Sequence, residues 1–178
     1  MFVLGIDPGL SRCGYGCVDD GWVLADAGVI STHHRLELPK RLEYLFEELK
    51  RLMLRLQPQV VAVERVFFQV NARTAMPTAQ AGGLALLAAQ QAGCKVVQYT
   101  SNEVKMAVVG YGGATKAQVQ NMVMMLLSLD EIPQPADVAD ALGLAICHLS
   151  SLPLQRALSK STTPPSRTGL AEGSGSPG

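Results

Sequence analysis

No stretch of this 178-residue chain approaches the ~20 consecutive apolar residues of a membrane span. No basic leader with a cleavage pattern precedes the first strand-like segment at Phe2, so a cytoplasmic location is the expectation. Net charge is missing as well: 15 Lys and Arg against 15 Asp and Glu leave zero, which argues against a generic basic nucleic-acid protein. Cysteine is scarce. The four residues form no CxxC, and His33, His34 and His148 stand in no zinc-like spacing with them. Cys13 and Cys17, four apart, fall on one face of a strand, and all four are expected as free, mostly buried thiols. Internal repeats are absent. The run from Gly112 to Ala117 fails as a Walker A loop, with Thr115 where Gly is needed and Ala117 where Ser or Thr is needed. What remains is a 48% hydrophobic chain, long enough for one packed α/β domain and short for two.

Hydrophobic patterning orders that domain. Phe2–Asp7 reads as a strand stopped by Pro8-Gly9, and 13–18 and 23–31 follow, with Asp19-Asp20-Gly21 between them as a hairpin turn. An antiparallel meander is expected. Residues 40–56 carry a helical stripe of Leu42, Leu45, Phe46, Leu49, Leu52, Met53 and Leu56, ended by Pro58. Val60–Glu64 is a β-branched run suited to a strand buried on both faces. Residues 78–92 form a helix almost wholly of Ala, Leu, Gly and Gln, with no solvated face, so cover on two sides is predicted. A fifth strand at 95–100 and helices at 102–109, 116–129 and 135–149 complete an α/β domain, a mixed five-stranded sheet sandwiched by helices. The domain is expected over 1–152, and the Ser-, Thr-, Pro- and Gly-rich segment 153–178 is expected to be a disordered tail.

Four acids carry the chemistry. Asp7 and Glu64 close apolar strands, and Asp137 and Asp140, at i and i+3, share one face near a helix start. Each has an ordinary reading: a turn residue, a solvated strand end, two acids favouring a helix dipole. Together they suit a carboxylate cage for two divalent cations at a phosphodiester. The glycines flanking Asp7 are read as admitting a close ligand. Between Arg65 and Ser128 lie five basic residues (Arg65, Arg73, Lys95, Lys105, Lys116) and one acid, Glu103, enough for a local phosphate track. Lys116 opens a helix where the dipole disfavours a cation, a conflict that a docked phosphate would resolve. Of the adjacent Phe67 and Phe68, followed by Asn71 and Arg73, at least one is expected to face outward, where it could stack on an unpaired base.

Five segments in order then resemble one family. Gly5-Ile6-Asp7-Pro8-Gly9 with Gly14-Tyr15-Gly16, the run Ala62 to Phe68 with Asn71, Val108-Val109-Gly110, Lys116 to Gln120, and Ala136 to Leu142 are similar to the RuvC family of Holliday-junction resolvases. The resemblance implies a ribonuclease-H-like fold and a homodimeric endonuclease dependent on Mg²⁺ or Mn²⁺, two ions per site, nicking like strands of a four-way junction. It further implies Asp7, Glu64, Asp137 and Asp140 as metal-binding catalytic acids, Lys105 and Lys116 as functional lysines, Phe67 as the stacking aromatic, and RuvA and RuvB as partners. In two places the chain departs from the family pattern. Val70 precedes Asn71 where a basic residue is usual, with Arg73 nearby, and Gly82 stands where the family has arginine. The helix at 78–92 is the expected dimer face, since small residues permit close helix approach. Rival readings are a nuclease of the same fold acting on RNA or RNA–DNA hybrids, a nucleotide-binding protein of the actin/sugar-kinase type, and a non-catalytic junction-binding module.

Overall fold

The computed structural model describes residues 1–65 and 72–161; at 72–74 and 153–161 it describes the main chain alone. Phe67, Phe68 and Asn71 lie outside the described residues, as does the side chain of Arg73. The elements are β1 (Phe2–Asp7), β2 (Arg12–Asp19), β3 (Leu24–Ser31), α1 (Leu38–Leu56), β4 (Val60–Glu64), α2 (Ala72–Gln91), β5 (Lys95–Tyr99), α3 (Ser101–Val109), α4 (Lys116–Leu126) and α5 (Ala136–Ser161).

The sheet runs β3-β2-β1-β4-β5. β1, β2 and β3 form the expected antiparallel meander, and β4 and β5 add in parallel to β1. The β2–β3 turn is built by one side chain: Asp19 Oδ1 accepts from the backbone N–H of Gly21 (2.9 Å) and of Val23 (2.8 Å). α1 and α2 cover one face of the sheet, and α3, α4 and α5 the other. Strand periodicity sorts the side chains between these layers. Leu4, Ile6, Val61 and Val63 enter the α1/α2 core, whereas Val3, Val60 and Ala62 enter the opposite one. Cys13 and Cys17 are buried on the α1/α2 side, and burial pushes the Cys13 thiol up to about 12, which keeps it protonated and inert. All four cysteines are free thiols.

α5 lies directly on the sheet because the strands beneath it carry glycine. A Cβ on Gly5 would sit 1.9 Å from the Ala141 carbonyl oxygen, and one on Gly14 2.1 Å from that of Asp137. Gly14 is the cross-strand partner of Asp7. Gly5 and Gly14 thus admit a helix backbone and Gly9 the Arg12 carbonyl, 2.2 Å from a Cβ placed there, where the sequence suggested a ligand; the α5 contact brings its acids beside β1.

Two helices are longer than the sequence pattern predicts. α2 starts at Ala72, before Pro77, and α5 passes through Pro153 to Ser161. Each proline removes one main-chain hydrogen bond, to the carbonyl four residues earlier, and the helix continues on its remaining bonds. The ordered main chain accordingly extends past the expected domain end at 152. Within the described residues of this chain α2 has one covered face. Ala75, Ala81, Ala85, Ala88 and Ala89 are buried, while Met76, Gly83 and Leu87 are exposed. No helix among the described residues is long and apolar enough to cross a membrane.

Candidate active site

Asp7 ends β1 and Glu64 ends the parallel neighbour β4, where Ile6 pairs with Val63. By alternation both acids point to the α3–α5 face, as Val3 and Ala62 do. They meet there in a cleft of about 380 Å³, lined also by Asp140 of α5, Lys116 of α4, Ser101 and Lys105 of α3, and by Val104, Val119 and Leu144. Four of the five residues expected to be catalytic therefore share one cavity, and Lys105 joins them. Asp137 stands at its edge, where its Oδ2 is 2.8 Å from Arg12 Nη2.

The electrostatics centre on Asp7. Burial first, and then the charges of Glu64, Asp140 and Asp137, push its carboxyl up from 3.8 to about 7, and Lys116 opposes the rise. Lys116 is the first residue of α4. The preceding turn is fixed by Thr115, whose Oγ1 accepts from the Gln118 N–H while the Gln118 side chain accepts from the Thr115 N–H (2.8 Å). Lys116 Nζ lies 2.6 Å from Asp140 Oδ2, and this hydrogen bond holds the ammonium above its ordinary pKa. A lysine at the positive end of a helix thus finds its compensation in a carboxylate of the same chain, where the sequence suggested a phosphate.

In these rotamers no three His, Cys, Asp or Glu side chains among the described residues converge closely enough to hold a metal ion. Arg12 and Lys116 hold the two α5 acids instead. The donor set nevertheless fits a divalent cation. It is all carboxylate oxygen, the choice of Mg²⁺ and Mn²⁺. Asp7 carries an excess of negative surroundings that a cation would relieve.

Sequence reasoning passed over two neighbours of this site. Arg12 opens β2 and grips Asp137. Ser101 opens α3, and its Oγ donates a hydrogen bond to Glu64 Oε1. Neither residue has a motif signal of its own. Ser101 could have been found only through the β4–β5 register, which sets Glu64 opposite Tyr99, two residues before it.

Comparison with known proteins agrees with this architecture. The family profile of the crossover junction endodeoxyribonuclease RuvC matches residues 3–148. The crossover junction endodeoxyribonuclease RuvC of Parafrankia sp. (strain EAN1pec) is 51% identical over 153 residues, covering 84% of this chain and 86% of its own. That of Syntrophomonas wolfei is 46% identical over 166 residues, covering 92% and 96%. Among solved structures, Thermus thermophilus RuvC in complex with Holliday junction substrate superposes with a TM-score of 0.82 at 33% identity, over 87% of this chain and 96% of that one. The yeast mitochondrial Holliday junction resolvase, 14% identical with a TM-score of 0.66 over 90% of this chain and 86% of its own, shares the fold. The ribonuclease-H-like sheet, the order of its elements and the kinship over most of its length place this chain in the RuvC family of crossover junction endodeoxyribonucleases.

Proposed function

We propose that this chain is a Holliday-junction resolvase, a structure-selective endodeoxyribonuclease that cuts four-way DNA junctions symmetrically by two-metal-ion hydrolysis, in homologous recombination and DNA repair. The observation that carries the reading is the cleft in which half-buried Asp7 is surrounded by Glu64, Asp140 and Lys116. Asp7, Glu64, Asp137 and Asp140 are the ligands in this reading. Mg²⁺ or Mn²⁺, two ions per site, would supply Lewis-acid stabilisation of the attacking and leaving oxygens of the phosphodiester.

The chain's own residues do the rest. Asp7, with a pKa near 7, ionises fully as positive charge enters the cleft. Lys116, released from Asp140, offsets charge on the phosphorus centre in the transition state. Lys105 faces the same cavity and steers the phosphate. Phe68, Asn71 and Arg73 are assigned to contacts with the junction DNA by family kinship. Phe67 is assigned to base stacking.

A four-way junction has two-fold symmetry and calls for two sites, hence a C₂ homodimer. The exposed Met76, Gly83 and Leu87 stripe on α2 supports that face as the interface, and among the described residues a Cβ placed on Gly83 would meet nothing within 4 Å. The nuclease domain is assigned to 1–152, with the last helix of the domain, α5, continuing to Ser161 into the Pro-, Ser- and Gly-rich tail, the location to the cytoplasm, and RuvA and RuvB as partners by family kinship.

The test is cleavage of a labelled synthetic four-way junction with Mg²⁺ or Mn²⁺, beside duplex and RNA–DNA hybrid competitors, wild type against Asp7→Asn. Symmetric, religatable nicks near the crossover that vanish in the variant are expected. Binding without cleavage under every metal tried would reduce the protein to a junction-binding module.

A further inference from the structure

We infer that Ser101 is a positioning residue for Glu64, holding one carboxylate oxygen in place and leaving the other directed to a divalent cation. The inference rests on the metal-dependent reading of the cleft. β4 and β5 end together, with Glu64 paired to Tyr99 and the Arg65 N–H donating to the Tyr99 carbonyl at 2.8 Å. Tyr99 packs into the core layer under α3–α5, so alternation sends Glu64 to that side too. Ser101 follows two residues after Tyr99, and its Oγ donates to Glu64 Oε1.

Among the described residues the hydroxyl makes no other hydrogen bond. Capping of α3 belongs to Thr100, whose Oγ1 accepts from the Glu103 N–H at 3.1 Å, while Glu103 Oε2 accepts from the Thr100 N–H at 2.7 Å. That reciprocal pair pins the first turn and fixes where Ser101 stands. Lys105, one turn on, lines the same cleft, so this face of α3 looks onto the site. A glutamate at a strand end has three rotatable side-chain bonds, and ordering them during metal capture costs affinity. The Ser101 hydroxyl does that ordering beforehand. Outer partners that orient a ligating carboxylate are typically worth about 10–100-fold in metal affinity.

The experiment measures Mn²⁺ binding to the full chain by electron paramagnetic resonance, for wild type, Ser101→Ala and Ser101→Thr, with thermal melting of each. Ser101→Ala is expected to weaken Mn²⁺ about tenfold or more at an unchanged melting temperature. Ser101→Thr, which keeps the hydroxyl, should restore it. In single-turnover cleavage the alanine variant should approach the wild-type rate as Mn²⁺ is raised. Equal Mn²⁺ affinity in wild type and Ser101→Ala would overturn the inference alone. So would a Ser101→Ala protein that fails to fold, or a threonine variant as weak as alanine, since either makes the contact structural. A wild type that binds no Mn²⁺ would sink the two-metal reading itself, and this inference with it.

Discussion

Replacing Asp7 by Asn should make the metal-free protein more stable, although it destroys the site. Ionising a group whose pKa is about 7 in the folded cleft and 3.8 in its ordinary state works against folding. At 1.36 kcal/mol for each tenfold change in proton affinity, the full penalty is on the order of 4 kcal/mol. Water at the open side of the cleft screens the part due to Glu64, Asp137 and Asp140, which leaves about 2–4 kcal/mol. The sign follows from proton counting. Between pH 4 and 7 folded Asp7 keeps a proton that the unfolded chain has lost, so wild-type stability falls as pH rises through that window. Asn, of the same shape and uncharged, removes the fall. Urea unfolding in EDTA should therefore place the Asp7→Asn midpoint higher at pH 8, by on the order of 1–2 M for a slope of about 2 kcal/mol/M. The gain should vanish near pH 4. Mn²⁺ at pH 8 should close the gap by stabilising the wild type alone. An Asp7→Asn protein no more stable than wild type at pH 8, or equally favoured at both pH values, would refute the picture of a desolvated, charge-crowded Asp7.

Lys116→Ala should lower the single-turnover cleavage rate by about 10²-fold or more and change junction affinity far less; equal losses in a gel-shift and a rate measurement would reduce the lysine to a phosphate anchor. Gly5→Ala would drive a methyl against the Ala141 carbonyl oxygen and should cost about 2 kcal/mol or more of stability, along with much of the activity, since α5 must lift with its acids. An unchanged urea midpoint would show that the helix is free to move.

The sheet and the cleft were legible in the sequence to different degrees. Strand boundaries were readable because each strand alternates or is bounded by Asp, Pro or Gly, and the antiparallel start followed from the Asp19 turn. The sequence pattern places α2 at 78–92 and α5 at 135–149, short of Ala72 and Ser161; Pro77 and Pro153 lie inside the longer helices, since a helix with packing on its face can forgo one hydrogen bond. The four acids could be picked out, but not how they are held. Asp137 and Asp140, equivalent by spacing, differ in position because the contact of α5 with Gly14 turns one toward Arg12 and the other into the cleft. A tertiary contact of that kind leaves no periodic trace. The same holds for Lys116, whose partner is 24 residues away.

The ion pairs of Arg12 and Lys116 bear on the order in which this site assembles. Without metal the acids Asp7, Glu64, Asp137 and Asp140, with Asp7 partly protonated near neutral pH, are nearly balanced by Arg12, Lys105 and Lys116, so the cleft offers an incoming phosphate little net attraction. Two divalent ions would make it positive and free both side chains to turn outward. Metal and DNA would then each raise the other's affinity by the same factor, as linkage demands. Residence of the scissile phosphate in the cleft and competence to cut it would thus arrive together.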